Sequence, residues 1–345
     1  MFLKSVAICQ VVVVLGREIT VYPIDSFEES DFNFNSFRVG KSLKAKFEQN
    51  GFQGKIVSLP TVVDSHTPGF LGKGAFGCVC KRAYDGEDHA VKVMQIRNDQ
   101  DLQGVFNEFR FHHLFSVQHK HPAIVQSRAI GVQYDEYGRA TEAFLVMKLG
   151  KGQNMINHLG SGSLIPAEET SCFVQYVSGI FHMHKHGVVY RDAKPDNFLY
   201  DASTKKLLIV DLGGASKDGE TATHAGGTRS YNPPEVITNG KRFTVRKSID
   251  MWQLGVVMTV VATRKMPFKN INDTPEQVKR NIRMHKDAEG GVVFAELRQR
   301  DADLHAVVAL LVNPEPVDRP NINQVVAIPV VQKWILPYFP DLLPK

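Results

Sequence analysis

The chain has 345 residues, of which 43% are hydrophobic and 22% are charged, and its formal net charge is +5. This is ordinary globular composition, with enough chain for one large domain or two lobes. The basic residues are scattered rather than clustered, which argues against a nucleic-acid-binding protein. We find neither a fixed-period repeat nor a low-complexity tract, which argues against solenoid and fibrous proteins.

The first 65 residues are predicted to be an N-terminal extension of unknown role. Residues 6–15 are an apolar stretch preceded by a lysine, and ten residues are too few to span a bilayer. One interpretation is a signal peptide. The other is a strand pair, residues 11–15 and 18–22, turning at Gly16-Arg17. The absence of a clear small-residue cleavage site favours the strand pair.

The pattern becomes regular from about residue 66. The predicted strands and helices, in chain order, are strands at 70–82 and 89–95 around a turn at Asp85-Gly86, a helix at 102–115, strands at 123–133 and 143–149, a long helix at 167–186, short strands around Leu199 and at 207–210, and mostly helix from 249 onward. Strands come first and helices follow. This order predicts an α+β fold with a small β-rich N-lobe (66–149) and a large helical C-lobe (150–340).

The cysteines, at positions 9, 78, 80 and 172, do not suggest a disulfide framework. A chain of this length needs none, and the pair Cys78 and Cys80 has no second pair to complete a zinc site. A reduced, cytoplasmic compartment is therefore expected, and a secreted protein or a delivered effector is the alternative.

Four polar residues carry the strongest chemical signal. They are Asp192, Lys194 and Asn197 and, fourteen residues after Asn197, Asp211. Carboxylate and carboxamide oxygens are ligands that Mg²⁺ prefers, and a lysine beside them can neutralise phosphate charge. The set can hold a metal–nucleotide complex and orient a hydroxyl towards it.

A glycine-rich stretch precedes this set. Residues 71–79 have the pattern G-x-G-x-x-G-x-V, in which glycine lets backbone amides approach phosphate oxygens closely. A predicted strand follows the glycines rather than a helix, which argues against a dinucleotide-binding fold. Lys92 then lies in an apolar strand, where a buried amine needs an anionic partner.

Together these motifs resemble those of the eukaryotic-type protein kinases, over residues 66–340. The resemblance implies that Asp192 orients the attacking hydroxyl, that Lys194 neutralises the γ-phosphate, and that Asn197 and Asp211 bind Mg²⁺. It implies that Lys92 contacts the ATP phosphates and pairs with Glu108, with Asp101 as the other acidic candidate. The ATP-binding residues that it implies are Leu71, Gly72, Lys73, Gly74, Ala75, Phe76, Gly77, Val79, Ala90, Lys92, Met147, Lys148, Gly150 and Leu199.

The resemblance also implies a platform for a protein substrate. The activation segment would run from Asp211 to Glu235, with Thr228 hydrogen-bonding near Asp192 and Lys194. Glu235 would pair with Arg319 in a buried ion pair. Asp250 would lie on the helix that anchors the catalytic loop.

Regulation is suggested by Arg191, because an arginine beside Asp192 needs an anionic partner. Thr221 and Thr223 are the candidate phosphorylation sites, and Ser216 is also nearby. His112 and Ser127 stand where the family stacks apolar side chains, which argues against easy self-activation.

The run His182-x-His184-x-His186 suggests a metal cluster, since residues 182 and 186 share a helix face. The same run also matches the ordinary approach to the catalytic loop of the family, which favours a structural role.

The predicted function is an ATP- and Mg²⁺-dependent serine/threonine protein kinase acting on protein substrates, with no nucleic acid and no membrane span. Lysine at position 194 is typical of the serine/threonine branch. One alternative is a kinase-fold scaffold or pseudokinase that acts by binding partners. Another is a small-molecule kinase of related fold, which Thr228, Glu235 and Arg319 disfavour.

Overall fold

The structure is a computed structural model that describes residues 16–32, 54–60, 63–74, 77–162, 164–222, 228–237, 242–268 and 292–343. The chain divides into two compact units. The first consists of Met1–Leu102 and Ser127–Leu149, and the second consists of Gln103–Gln126 and Gly150–Lys345.

The first unit is built on a seven-stranded antiparallel sheet. Its strands are β1 (Gly16–Pro23), β2 (Lys55–Pro60), β3 (Phe70–Gly74), β4 (Gly77–Tyr84), β5 (Glu87–Gln95), β6 (Ser127–Tyr134) and β7 (Ala140–Lys148), in the spatial order β2-β1-β6-β7-β5-β4-β3. The turn between β4 and β5 has positive φ at Asp85 and Gly86, as the predicted turn requires.

The strand predicted at 70–82 is in fact two strands. β3 and β4 pair antiparallel, with Gly74 opposite Gly77. A Cβ at Gly77 would stand 2.0 Å from the carbonyl oxygen of Val93 on β5. Only glycine therefore lets β4 begin against β5 at this point.

Strands from the first 65 residues complete this sheet. Ile19, Val21, Val57 and Leu59 are buried in one apolar cluster that also contains Cys80, Tyr84, Val91, Val93, Ala129, Phe144 and Val146. Arg17 of β1 forms an ion pair with Glu142 of β7. The residues before position 66 are therefore part of the folded unit, and the predicted domain boundary at 65 stays a prediction.

The predicted turn at Gly16-Arg17 is wrong. Both residues lie within β1, which pairs with β2 in a register that runs from Gly16–Pro60 to Val21–Lys55. The reason is that β1 needs these residues to bring Ile19 and Val21 into the core. The other predicted strand, at 11–15, lies outside the described residues.

Helices dominate the second unit. α1 (Asp99–His113) begins in the first unit and continues into the second, where a turn of π-helix (Leu114–Gln118) follows it. The remaining helices are α2 (Met155–Ser161), α3 (Pro166–Lys185), α4 (Ser248–Thr263), α5 (Val292–Arg300), α6 (Ala302–Leu311), α7 (Ile322–Val326) and α8 (Pro329–Ile335). Every residue of α4 from Ile249 to Thr263 is buried, which makes it the central helix of this unit.

Short strand pairs complete the second unit. β8 (Gln153–Asn154) and β11 (Lys206–Ile209) flank β10 (Phe198–Asp201). β9 (Val188–Val189) pairs with β12 (Ser216–Lys217), and β13 (Thr221–Ala222) pairs with β14 (Phe243–Thr244). Strands make up most of the first unit and helices most of the second. The predicted α+β class is confirmed.

Candidate active site

The loop that carries the proposed catalytic residues is held by the central helix. Asp250 of α4 accepts the backbone N–H of Tyr190 and the backbone N–H of Arg191, each at 2.8 Å, and contacts His184 Nε2 at 2.8 Å. Arg191 has φ of +67°, a conformation that side chains seldom adopt without support. The Asp250 carboxylate supplies that support.

Gln253 is a second anchor, and the sequence analysis missed it. Its Nε2 donates to the carbonyl of Arg191 at 2.9 Å and to Oδ1 of Asn232 at 3.0 Å, and its Oε1 accepts the backbone N–H of Ala193 at 3.2 Å. Gln253 lies three residues after Asp250, on the same helix face. That spacing is the signal by which it could have been found.

Asp192 is surrounded by the polar residues that the sequence placed near it. Asn197 Nδ2 donates to Asp192 Oδ2 at 2.8 Å, and Lys194 Nζ lies 3.3 Å from Asp192 Oδ1. Burial raises the pKa of Asp192, and the nearby Asp211 carboxylate acts in the same direction, whereas Lys194 opposes them. The arrangement is a fixed carboxylate with a cation at one oxygen and an amide at the other.

Asp211 begins a tight turn directly after β11. Its Oδ1 accepts the backbone N–H of Gly213 at 2.8 Å. A Cβ at Gly213 would stand 3.1 Å from that oxygen and 3.2 Å from Oε2 of Glu108, so the carboxylates of Asp211 and Glu108 are neighbours. Gly214 follows, and a Cβ there would stand 2.7 Å from Cβ of Asp192. Both glycines let the turn pass close to the acidic side chains.

Glu108 is buried on α1 within the second unit. Oε1 of Glu108 lies 3.8 Å from Nε2 of the buried His112. Next to it, Asn107 Nδ2 donates to the carbonyl of Ala215 at 2.8 Å. One face of α1 therefore packs on the segment that follows Asp211. Asp101, the other candidate, lies near the start of α1, where it accepts the backbone N–H of Arg97 at 3.0 Å.

In the first unit, the proposed ATP-binding residues lie on adjacent strands. Lys92 of β5 is buried and stands opposite Val79 of β4 and Leu145 of β7. Ala90 stands opposite Met147, and Lys148, the last residue of β7, is exposed. Leu71, Gly72, Lys73 and Gly74 lie in β3, and Leu71 is exposed. Ala75 and Phe76 lie outside the described residues.

In the second unit, Gly150 lies against Leu199. A Cβ at Gly150 would stand 2.5 Å from Cδ1 of Leu199, so glycine permits this contact. Leu199 stands in β10, opposite Asn154 of β8. Asn154 in turn caps α2 and donates to the carbonyl of Asp196. The strand that carries Leu199 is thereby tied to the catalytic loop.

Two contacts connect Thr228 and Glu235 to residues elsewhere in the second unit. Lys194 Nζ lies 3.4 Å from Oγ1 of Thr228. Arg319 donates to both oxygens of Glu235, at 2.6 and 2.9 Å. The segment 228–235 is therefore linked to the loop of Asp192 at one end and to the C-terminal helices at the other.

Comparison with known proteins identifies the family. The sequence matches the family described as protein kinase domain over residues 66–331. The chain belongs to this family. The kinase domain therefore spans most of the chain, as the motifs indicated.

Curated relatives agree with this assignment. A probable serine/threonine-protein kinase, iksA, of Dictyostelium discoideum is 25% identical, over 76% of this chain and 31% of that protein. The ovarian-specific serine/threonine-protein kinase Lok of Drosophila melanogaster is 28% identical, over 74% of this chain and 54% of that protein. The human SNF-related serine/threonine-protein kinase is 26% identical, over 79% of this chain and 36% of that protein. The chain thus spans about a third to a half of the length of these relatives.

Two further observations concern metals and membranes. Among the described residues, no three or more His, Cys, Asp and Glu side chains are grouped so as to hold a metal ion. The metal-cluster interpretation of His182, His184 and His186 therefore gains no support, and His184 instead contacts Asp250. Within the same part of the chain, no helix is both long and apolar enough to cross a bilayer.

Proposed function

We propose that the chain is a serine/threonine protein kinase that uses ATP and Mg²⁺ to phosphorylate hydroxyls of protein substrates. The observation that supports this best is the convergence of Lys194 and Asn197 on the carboxylate of Asp192. Phosphoryl transfer depends on positioning and charge stabilisation more than on covalent chemistry by the protein. A carboxylate with an amide donor near one oxygen and an ammonium group near the other has a fixed orientation, which suits it to positioning a hydroxyl.

Asp192 would accept the hydrogen bond of the substrate hydroxyl and direct its oxygen to the γ-phosphate. The hydrogen bond from Asn197 fixes the orientation of the carboxylate. Lys194, within reach of both Asp192 and Thr228, would stabilise negative charge on the transferred group. As the bond from the hydroxyl oxygen to the γ-phosphorus forms, the bond to the β,γ-bridging oxygen breaks, ADP leaves and Asp192 receives the hydroxyl proton.

The residues proposed for Mg²⁺ fit that ion by their donor chemistry. Asp211 offers a carboxylate, and Asn197 has its amide nitrogen committed to Asp192, which leaves the carboxamide oxygen as the atom suited to a hard cation. Mg²⁺ usually takes few protein ligands and completes its shell with phosphate and water. When bound, it would neutralise the phosphate charge that builds during transfer.

For the nucleotide, we propose that Lys92 contacts the phosphates and pairs with Glu108. The backbone of β3 and of Gly77, the first residue of β4, would cover the phosphates, and Ala75 and Phe76 are proposed to take part as well. The adenine would contact Val79, Ala90, Met147 and Leu199, with the backbone of Lys148 and Gly150 at its edge. The burial of Lys92 between the apolar residues Val91 and Val93 supports this role.

The preference for serine and threonine rests on Lys194 and on the names of the relatives. Protein substrates are favoured because Thr228, Glu235 and Arg319 form the platform described above. The reduced cytoplasm is the proposed compartment, and the cysteines agree with it. Among the described residues, Cys78, Cys80 and Cys172 form no disulfide.

The test is transfer of label from γ-labelled ATP to a generic basic protein in the presence of Mg²⁺. Label should be lost in Asp192→Asn and in Asp211→Ala. Asp196→Asn is the matched control, because Asp196 is an exposed carboxylate in the same loop and should leave transfer unchanged. Transfer that persists in Asp192→Asn, or no transfer from activated wild-type protein, would instead favour the scaffold alternative.

A further inference from the structure

Arg191 already has partners inside the second unit. It is buried, its guanidinium donates to Oγ of Ser216, and its Cζ lies 5.5 Å from the centre of the Phe243 ring. The sequence suggested that this arginine would need a phosphate on the activation segment. The Ser216 hydroxyl and the Phe243 ring already contact the Arg191 guanidinium in the absence of a phosphate.

Glu220 is a carboxylate on the segment that follows Ser216, and it is linked to α1. Its Oε2 accepts the backbone N–H of Lys217 at 3.1 Å, and its Oε1 lies 3.7 Å from a guanidinium nitrogen of Arg110 on α1. The backbone carbonyl of Glu220 accepts the N–H of Val245 at 2.8 Å. This one residue thus links α1, the turn at 217–220 and the strand that precedes α4.

The charges around Arg191 agree with this placement. Burial lowers the pKa of Arg191, and the carboxylates of Asp250, Glu220 and Asp192 oppose that shift. The carboxylate of Glu220 thus favours the charged form of Arg191, as that of Asp250 does. The Glu220 carboxylate contributes to the same electrostatic environment as the anchor Asp250.

The segment around Glu220 is paired on both sides. Ser216 and Lys217 pair with β9, and Thr221 and Ala222 pair with β14. Nearer the catalytic residues, Asn107 and Glu108 of α1 lie against Ala215 and Gly213. Residues 213–222 therefore have a defined path along α1 and the catalytic loop.

We propose that Glu220 is a positioning residue that does the work of an activating phosphate, so that this kinase orders residues 213–222 and Arg191 without phosphorylation of Thr221 or Thr223. This inference rests on the proposed kinase function. The sequence suggested that phosphorylation of Thr221 or Thr223 supplies the negative charge. In this proposal the carboxylate of Glu220 supplies it instead. Thr221 is exposed, and its backbone pairs with Thr244 as it stands.

The first test compares the full chain before and after phosphatase treatment, with the absence of phosphate verified by mass. Equal kcat is expected for the two forms, and Thr221→Ala/Thr223→Ala should match them. Glu220→Gln should lower kcat about ten-fold in both forms, because a displaced segment misplaces the catalytic loop, while KM for ATP stays unchanged. Glu296→Gln, which removes an exposed carboxylate, is the matched control and should have no effect.

The pairing with Arg110 gives a second readout. Arg110→Ala should lower kcat to a similar degree, and the double variant with Glu220→Gln should be no worse than either single variant. Glu220→Asp should recover part of the loss. A treated wild type that loses activity and regains it on phosphorylation would overturn the inference, as would a Glu220→Gln variant with wild-type kcat.

Hydrogen exchange separates this inference from the kinase function itself. In unphosphorylated wild type, the amides of Lys217, Glu220 and Val245 should be protected, and Glu220→Gln should raise their exchange. Transfer that persists in Asp192→Asn would mean that this chain does not catalyse it. The exchange experiment would still decide whether Glu220 orders residues 213–222, because it does not depend on activity. Unprotected wild-type amides would refute that ordering directly.

Discussion

Arg319 and Glu235 form a two-pronged ion pair in which the arginine side chain is fully buried. Arg319 also donates to the carbonyls of Asn313 and Ser248, at 2.7 and 3.0 Å, and its Cζ lies 5.1 Å from the Trp252 ring centre. The pair joins the end of the activation segment to the central helix and to the C-terminal helices.

Removal of Arg319 should destabilise the second unit strongly. Arg319→Ala leaves Glu235 and several carbonyls without their donor, and loss of one partner of a buried pair costs about 3–5 kcal/mol. The free energy of unfolding in urea measures this. Lys265→Ala is the control, because Lys265 pairs with Glu296 at an exposed site, and its loss should cost at most about 1 kcal/mol. Equal costs for the two variants would contradict the structural role of Arg319.

Asp250→Asn should impair catalysis more than nucleotide binding. The Asp250 carboxylate accepts hydrogen bonds at both oxygens, from His184 and Tyr190 at Oδ2 and from Arg191 at Oδ1. In asparagine one of these two oxygens becomes an NH₂ group, which cannot accept a hydrogen bond from an N–H donor. The expected cost in stability is about 1–3 kcal/mol, and kcat should fall by about ten-fold or more because the loop shifts. Single-turnover transfer and the Kd for ATP separate the two effects. A raised Kd with unchanged kcat would place the role of Asp250 elsewhere.

Gly214→Ala should act on Asp192 through a steric contact. A Cβ at this position would stand 2.7 Å from Cβ of Asp192, a distance at which the loop must shift. We expect kcat to fall by about ten-fold or more, since small displacements of catalytic groups are costly. Gly160→Ala is the matched control, because no atom lies within 4 Å of its added Cβ. Wild-type kcat in Gly214→Ala would show that the turn adjusts without moving Asp192.

Leu59→Ala tests whether residues before position 66 belong to the folded sheet. Leu59 is 1% exposed, and truncation of a buried leucine costs about 2–5 kcal/mol. Ile56, on the same strand, is 62% exposed, and Ile56→Ala should change stability by no more than about 0.5 kcal/mol. Thermal unfolding of both variants gives the comparison. Two equally mild effects would mean that β2 contributes little to the core.

The free energy of unfolding should depend on pH because four histidine rings lie close together in the second unit. The ring centres of His119 and His186 lie 3.6 Å apart, and those of His182 lie 4.7 Å from His186 and 4.8 Å from His121. Burial and the neighbouring rings lower the pKa of His121 and of His186 to about 4, and burial lowers that of His182. Protonating one ring would place a charge beside the others.

The sign follows from the direction of the shifts. The unfolded chain binds protons near the ordinary value of 6.5, whereas folded His121 and His186 do so only near 4. Stability should therefore fall as the pH decreases from 6.5 towards 4. Urea unfolding at several pH values measures the slope, and His186→Gln should make it shallower. An unchanged slope in that variant would remove His186 from the explanation.

Much of the fold could be predicted because its signals are local. The 3.6-residue periodicity of α3 and the strands that precede it depend on neighbouring residues, and their predicted bounds lie close to those observed. The single strand predicted at 70–82 is wrong, because residues 70–74 and 77–84 form two strands that pair with each other, and the local pattern does not separate them. The turn predicted at Gly16-Arg17 is wrong because these residues belong to β1, whose partner β2 lies more than thirty residues further along the chain.

The sequence by itself determined which residues of the proposed site are close together along the chain. Asp192, Lys194 and Asn197 are close along the chain, so one short loop brings them together in any fold that contains it. Only the tertiary structure decided how that loop is held. Asp250 and Gln253 reach it from about sixty residues away, and Glu220 meets Arg110 across the second unit. Such contacts depend on how helices pack, and no local pattern of residues encodes the distance between two side chains that far apart.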